Sequence, residues 1–153
     1  MSVERDSKII TDFDENDIPW PEGRFLFNLW QEKSKDGKLP ARSDFVPMEL
    51  KSILTNIILL DVELEPINVS VRLMGSFIAN ILQADTTGEN IRNMTDRYTW
   101  LIENKKPYYL TKVVPDWALV DYRDYNILAL PLAEDGTNVN MAMALITPYA
   151  PDE

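Results

Sequence analysis

The side chains able to do chemistry are few, and they cluster in one place. Asp121-Tyr122-Arg123-Asp124-Tyr125 packs two carboxylates, two phenols and a guanidinium into five residues, with Asp116 upstream and Asp61 earlier in the chain. Two carboxylates that converge in an apolar cleft can divide acid and base roles between them. The run falls between two strand patterns, where polar loop residues are expected anyway. A small carboxylate-based enzyme is therefore the least favoured of three readings. The 153-residue chain contains no cysteine and no histidine. That excludes a thiol nucleophile, a thiolate zinc site, a flavin-adduct cysteine and a disulfide. It also excludes an imidazole base and histidine-ligated haem. A carboxylate-only calcium or magnesium site stays open, but no Asp/Asn loop has EF-hand spacing, and no metal is expected.

The formal net charge is −10. A phosphate polyanion would be repelled in the absence of a basic stripe, so nucleic acid is not an expected partner. An anionic membrane surface is disfavoured for the same reason. Part of the acidity lies in residues 4–22 and in Asp152-Glu153. The hydrophobic share of 45% is enough for one packed core in a chain of this length. No run approaches the ~20 apolar residues of a membrane span, and the charged start does not read as a signal peptide. A cytoplasmic protein is expected, divided into a flexible acidic arm (1–23), one domain (24–148) and a short tail (149–153).

The elements that must position these side chains follow from periodicity. Residues 24–34 read as a helix with Leu26, Leu29 and Trp30 on one side and Phe25 and Phe27 widening the apolar surface. It must cover a sheet or meet a partner, so Trp20, Phe25, Leu26, Leu29 and Trp30 are the interface candidates, joined by Trp117. Trp20, between two prolines, can anchor the arm to the body or to another subunit. Ser43 or Asp44 can cap a short helix that starts near Pro47, and Arg42 can pair with Asp44 or a later carboxylate. Residues 56–62 read as a strand buried on both faces. In the next strand, 68–74, Val69, Val71 and Leu73 alternate with Ser70, Arg72 and Met74. Gly75 allows a sharp exit into a helix over 76–82. A helix is expected over 90–104, then strands over 108–114, 125–133 and 139–147, the last two joined through Glu134-Asp135-Gly136-Thr137. In the last strand Met141 and Met143 face one way and Ala142 and Ala144 the other, which predicts one adaptable face and one closely packed face.

This order predicts an α+β fold: one five-stranded antiparallel sheet with helices on one face and the N-terminal helix flanking the sheet. The pocket candidates are Arg72, Met74, Ile78, Leu82, Leu110, Leu128, Met141 and Met143, with Arg72 as the polar anchor of a mostly apolar site.

The residues also resemble a family. Trp30, Gly37, Pro40, Arg42, Asp44, Pro47, Leu54, Asp61, Arg72, Leu73, Gly75, Asp85, Thr87 and Gly88 are similar in order and spacing to the small bacterial PAS-fold proteins with a Trp…Pro-x-Arg-x-Asp…Pro opening. Leu130-Pro131-Leu132-Ala133 with Asp135-Gly136 matches a second block. Val71 departs from the pattern, standing where an aromatic often precedes the strand arginine. Leu82-Gln83-Ala84 stands where a Gly-Arg pair is common. The resemblance implies a PAS sheet, a sensory or interaction role, common homodimerisation, a protein signalling partner and no catalytic residues. It allows a non-covalent small apolar ligand. A pure dimerisation or adaptor module without ligand is the alternative.

Overall fold

The computed structural model describes residues 9–82, 84–91, 95–113 and 124–149. The elements are α1 (Pro21–Lys33), β1 (Ile57–Glu63), β2 (Asn68–Met74), α2 (Ser76–Leu82), α3 (Thr95–Asn104), β3 (Tyr108–Val113), β4 (Tyr125–Leu132) and β5 (Met141–Pro148). The strands form one five-stranded sheet in the order β2-β1-β5-β4-β3, antiparallel throughout. This is the expected α+β architecture.

Burial along β4 explains why the sheet needs cover on both sides. All eight of its residues are buried. Tyr125, Ile127 and Ala129 face a cluster beneath α2 and α3, and Leu128, Leu130 and Leu132 face a second cluster beneath α1. The α1 helix starts with Pro21 in its first turn, where a missing N–H costs nothing. It carries Glu22 at its positive end and Lys33 at its negative end. Leu26, Phe27, Leu29 and Trp30 form its buried stripe. The Trp30 indole N–H donates to the Pro131 carbonyl at 3.0 Å. Proline cannot donate to a ladder. Pro131 fits inside β4 because β3 begins at Tyr108, opposite Ala129, so no strand lies beside Pro131 on that side.

The 1–23 segment does not hang free from residue 9 onward. Ile10 exchanges backbone hydrogen bonds with Tyr109, at 2.9 and 3.1 Å. Ile18 and Trp20 are buried in the α1-side cluster. Their apolar surface outweighs the acidic character of the segment, whose carboxylates point outward. Both sheet edges are covered over part of their length among the described residues. Ile10 covers β3, and the chain after Gly88 covers β2 through Val71 N–H to Glu89 O and Ile91 N–H to Val69 O. Asn90 and Ile91 therefore run extended against β2, and the helix expected from Asn90 is seen as α3 from Thr95. Unpaired strand edges invite pairing with other chains, and here they are partly occupied.

In β2 the expected alternation breaks. Leu60 pairs with Val71 but Leu59 pairs with Leu73, which leaves Arg72 as the extra residue of a bulge. The bulge shifts the side-chain parity. Met74 is buried on the α2/α3 side with Val69 and Val71, and Leu73 is 44% exposed.

Gly75 is required for close approach. A Cβ there would lie 2.3 Å from the Thr55 carbonyl oxygen and 2.8 Å from that of Ile57. Gly75→Ala is expected to destabilise at or above the ~3 kcal/mol upper end of overpacking costs, because backbone cannot yield as a side chain can. Urea unfolding measures it; a loss below ~1 kcal/mol would show that the strand exit adjusts freely.

Candidate functional site

The face of the sheet under α2 and α3 is the candidate site. At its centre, Ala129 pairs with Ala144, and Ala142 lies beside them on β5. Larger side chains surround these alanines: Leu60 and Val71 from the first hairpin, Leu110 from β3, and Ile78 and Ile81 from α2. Two edge-to-face aromatic pairs tie the helices down. Phe77 meets Tyr125 with ring centroids 6.3 Å apart, and Trp100 meets Tyr108 at the same separation. Such pairs are worth about 0.5–1.5 kcal/mol beyond their buried area.

The sequence reading missed Arg97. It is 9% exposed on α3, one turn before the fully buried Leu101, and Tyr98 follows it. A buried guanidinium is costly unless it is paired, and Arg97 already engages a partner. The sequence signal was an arginine four residues before Leu101 in the helix pattern, to which no role was assigned.

The expected pocket residues do not line one cavity. Met74, Ile78 and Leu110 lie on the α2/α3 face, whereas Leu128, Met141 and Met143 lie on the opposite face under α1. The side chain of Leu82 lies outside the described residues. Strand alternation forces this division: Ala142 and Ala144 face α2 and α3, so the methionines between them face α1. Arg72 is not a buried anchor. Its side chain is 60% exposed and reaches Asp61 at 3.9 Å. Of the interface candidates, Trp20, Leu26, Leu29 and Trp30 are spent on the protein's own core, and only Phe25, 44% exposed, is on the surface. Trp117 lies outside the described residues.

Asp116, Asp121, Tyr122 and Arg123 likewise lie outside the described residues. The two described acids are far apart. Asp61 sits opposite Met141 at the start of β5, and Asp124 precedes Tyr125, which sits opposite Pro148 at its end. Seven strand steps separate them by roughly 20 Å. Among the described residues no group of three or more acidic side chains is arranged to hold a metal ion. No helix among them is long and apolar enough to cross a membrane.

An open groove of about 510 Å3 lies by the β4–β5 connection, lined by Lys33, Lys38, Asp44 and Asp135 among others. Its charges are mixed and solvated. Asp44 accepts from the upstream Ala41 N–H at 2.8 Å and so closes its own turn over Arg42–Asp44 rather than capping the turn that starts at Pro47. Arg42 forms no ion pair among the described residues. Glu49, not Arg42, makes the cross-link here: it accepts from Lys33 at 3.0 Å and from the Val46 N–H. Those bonds hold its carboxyl below the usual range, the Val46 N–H contributing most.

Asp135 has a clear structural role. Its carboxylate accepts from the backbone N–H groups of Asn138 and Thr137, which lowers its pKa to about 2. Gly136 follows with a φ of +83°, which suits glycine.

With the geometry in place, the comparisons identify the class. The model of the family described as "PAS domain" matches residues 20–150. The chain belongs to the PAS domain family, and the class is that of a sensory and signalling domain. Among solved structures it is similar to a chain from work in which a flavin analogue probes the mechanism of a light-oxygen-voltage domain. That match has 10% identity, a TM-score of 0.49, and covers 69% of this chain and 84% of the other. The search of curated proteins found no match.

Leu110→Ala is expected to cost about 2–5 kcal/mol, as deletion of a fully buried leucine does. Arg72→Ala is expected to cost less than ~1 kcal/mol, since its ion pair is exposed. Urea unfolding of both variants tests the reassignment of Arg72 from pocket to surface; the reverse ranking would restore it.

The depressed pKa of Asp135 sets a pH dependence. Its contribution is complete above the unfolded carboxylate value of about 4 and is lost as pH falls through about 2. The gap in melting temperature between wild type and Asp135→Ala should therefore be constant near neutrality and shrink between about pH 4 and pH 2. A gap that stays level throughout would mean the carboxylate charge does not hold the turn.

Proposed function

We propose that this PAS domain is a non-catalytic sensory module that holds a small amphipathic molecule between the sheet and helices α2 and α3. Family membership supports the sensory class. The observation that carries the ligand reading is the alanine-centred sheet face beneath α2 and α3. A mostly apolar site with a few polar groups is the usual form for small ligands. The aromatic and aliphatic side chains of this face would receive the apolar body of the molecule. With no cysteine or histidine in the chain, the ligand is held without covalent attachment and is neither a cysteinyl flavin nor a histidine-ligated haem.

A second reading is favoured by the surface. Met48 is 73% exposed and Val46 51%, on the segment between α1 and β1, and Phe25 is exposed on α1. A pure interaction module, a homodimer or an adaptor for a cytoplasmic signalling protein, would use such positions without any ligand. Exposed apolar residues grouped in one segment are a common mark of a contact surface.

Native mass spectrometry of freshly purified protein, repeated after denaturation, separates the two. The ligand reading expects an added mass that is lost on denaturation. A ligand-free dimer would support the interaction module instead. Bare monomer, with no thermal shift across a panel of fatty acids and aromatic acids, would overturn the ligand reading.

A further inference from the structure

The α1 side of the sheet carries a buried polar pair within its apolar surroundings. Asn126 and Thr147 are 3% and 6% exposed. Asn126 Oδ1 and Thr147 Oγ1 are buried and have no hydrogen-bond partner among the described residues. The two residues stand directly opposite each other in the β4–β5 ladder. Strand alternation puts Asn126 on the face of Leu128 and Leu130, and Thr147 on the face of Leu145. This is the face away from the ligand region proposed above, so the two sites are independent.

Directly opposed side chains in an antiparallel pair have Cβ atoms about 4.5–5.5 Å apart. That span suits one small group placed between an amide oxygen and a hydroxyl. Asn126 Oδ1 can only accept, and the threonine hydroxyl can both donate and accept. A guest with one donor for Asn126 and one further donor or acceptor for Thr147 satisfies both. The guest must be neutral, because both side chains are neutral and an unpaired charge in an apolar cluster is far costlier than an unpaired dipole. Trp20 offers an additional donor on the same side: its Nε1 is buried without a partner among the described residues, and its ring packs on Tyr109, which pairs with Leu128. Buried waters typically make about three hydrogen bonds to such otherwise unsatisfied groups, and a chain of this length is expected to hold about five or six of them.

We propose that Asn126 and Thr147 form a buried binding site for one structural water, which bridges β4 and β5 beneath α1. The site couples the two side chains through a shared guest. Losing either partner strands the other, whereas replacing both by apolar groups of similar shape removes the need for the guest.

The test is a double-mutant cycle read by urea unfolding, together with a high-resolution crystal structure of the wild type. Thr147→Val and Asn126→Leu are each expected to raise the unfolded-to-folded ratio about tenfold, and the double variant to return to within about threefold of wild type. Single variants that equal or exceed wild-type stability would overturn the proposal, because deleting an unpaired polar atom that has no guest should stabilise. The crystal structure is expected to show one ordered water within hydrogen-bond reach of both side chains. A direct Asn126–Thr147 bond, or density for a larger molecule, would overturn it even if the cycle shows coupling. Should either leucine or valine variant fail to fold, the wild-type density decides alone.

Discussion

Complete burial of β4 is the constraint from which the rest of the architecture follows. A strand with no exposed residue cannot sit in a sheet that leaves one face to water. A second layer is therefore obligatory, and α1 supplies it. The Trp30 to Pro131 hydrogen bond fixes where that layer lies. It brings together an indole donor that needs a buried acceptor and a carbonyl beyond the end of the β3 ladder. Each group would otherwise be an unsatisfied dipole in the core.

The two layers divide the chain's apolar residues by size as well as by side. Leucines, methionines and aromatic rings fill the space between α1 and the sheet, where Gly23 lets α1 approach the Trp20 ring and Ile18. The opposite face has alanines at its centre and larger residues around them. A methyl group leaves space that a neighbouring helix or a guest must occupy, since protein interiors are close-packed. That asymmetry sets the two faces apart: one closes the domain against α1, and the other packs smaller side chains beneath α2 and α3.

Partly covered edges narrow the ways in which such a domain can communicate. Ile10 occupies β3, and the segment from Gly88 to Ile91 occupies β2, so strand addition at either edge would first have to displace native backbone hydrogen bonds. Among the described residues, exposed large apolar side chains lie between the elements at Val46, Met48, Leu54 and Leu64, on α1 at Phe25, on β2 at Leu73 and in the N-terminal segment at Ile10. A signal generated beneath α2 and α3 would have to cross the sheet to reach Val46, Met48 and Phe25, through side chains that alternate between its faces along β4 and β5.

The sequence by itself determined the element types, the α+β class and the sheet's need for two covers, because these depend on local periodicity and on strands too apolar to be half exposed. The absence of cysteine and histidine also settled which covalent and metal chemistries are closed to it. Tertiary structure decided what pattern alone could not. The bulge at Arg72 reversed the parity of β2 and exchanged Leu73 for Met74 in the core, and an extra residue in a strand leaves no mark on an alternating pattern. The face taken by Met141 and Met143 depended on which side α1 docked, a long-range outcome. Trp20 read equally well as an anchor to the body or to another subunit until the N-terminal segment was seen packed on Tyr109. Arg97 went unnoticed because spacing gives a helix its period, whereas only packing gives that helix its inward side.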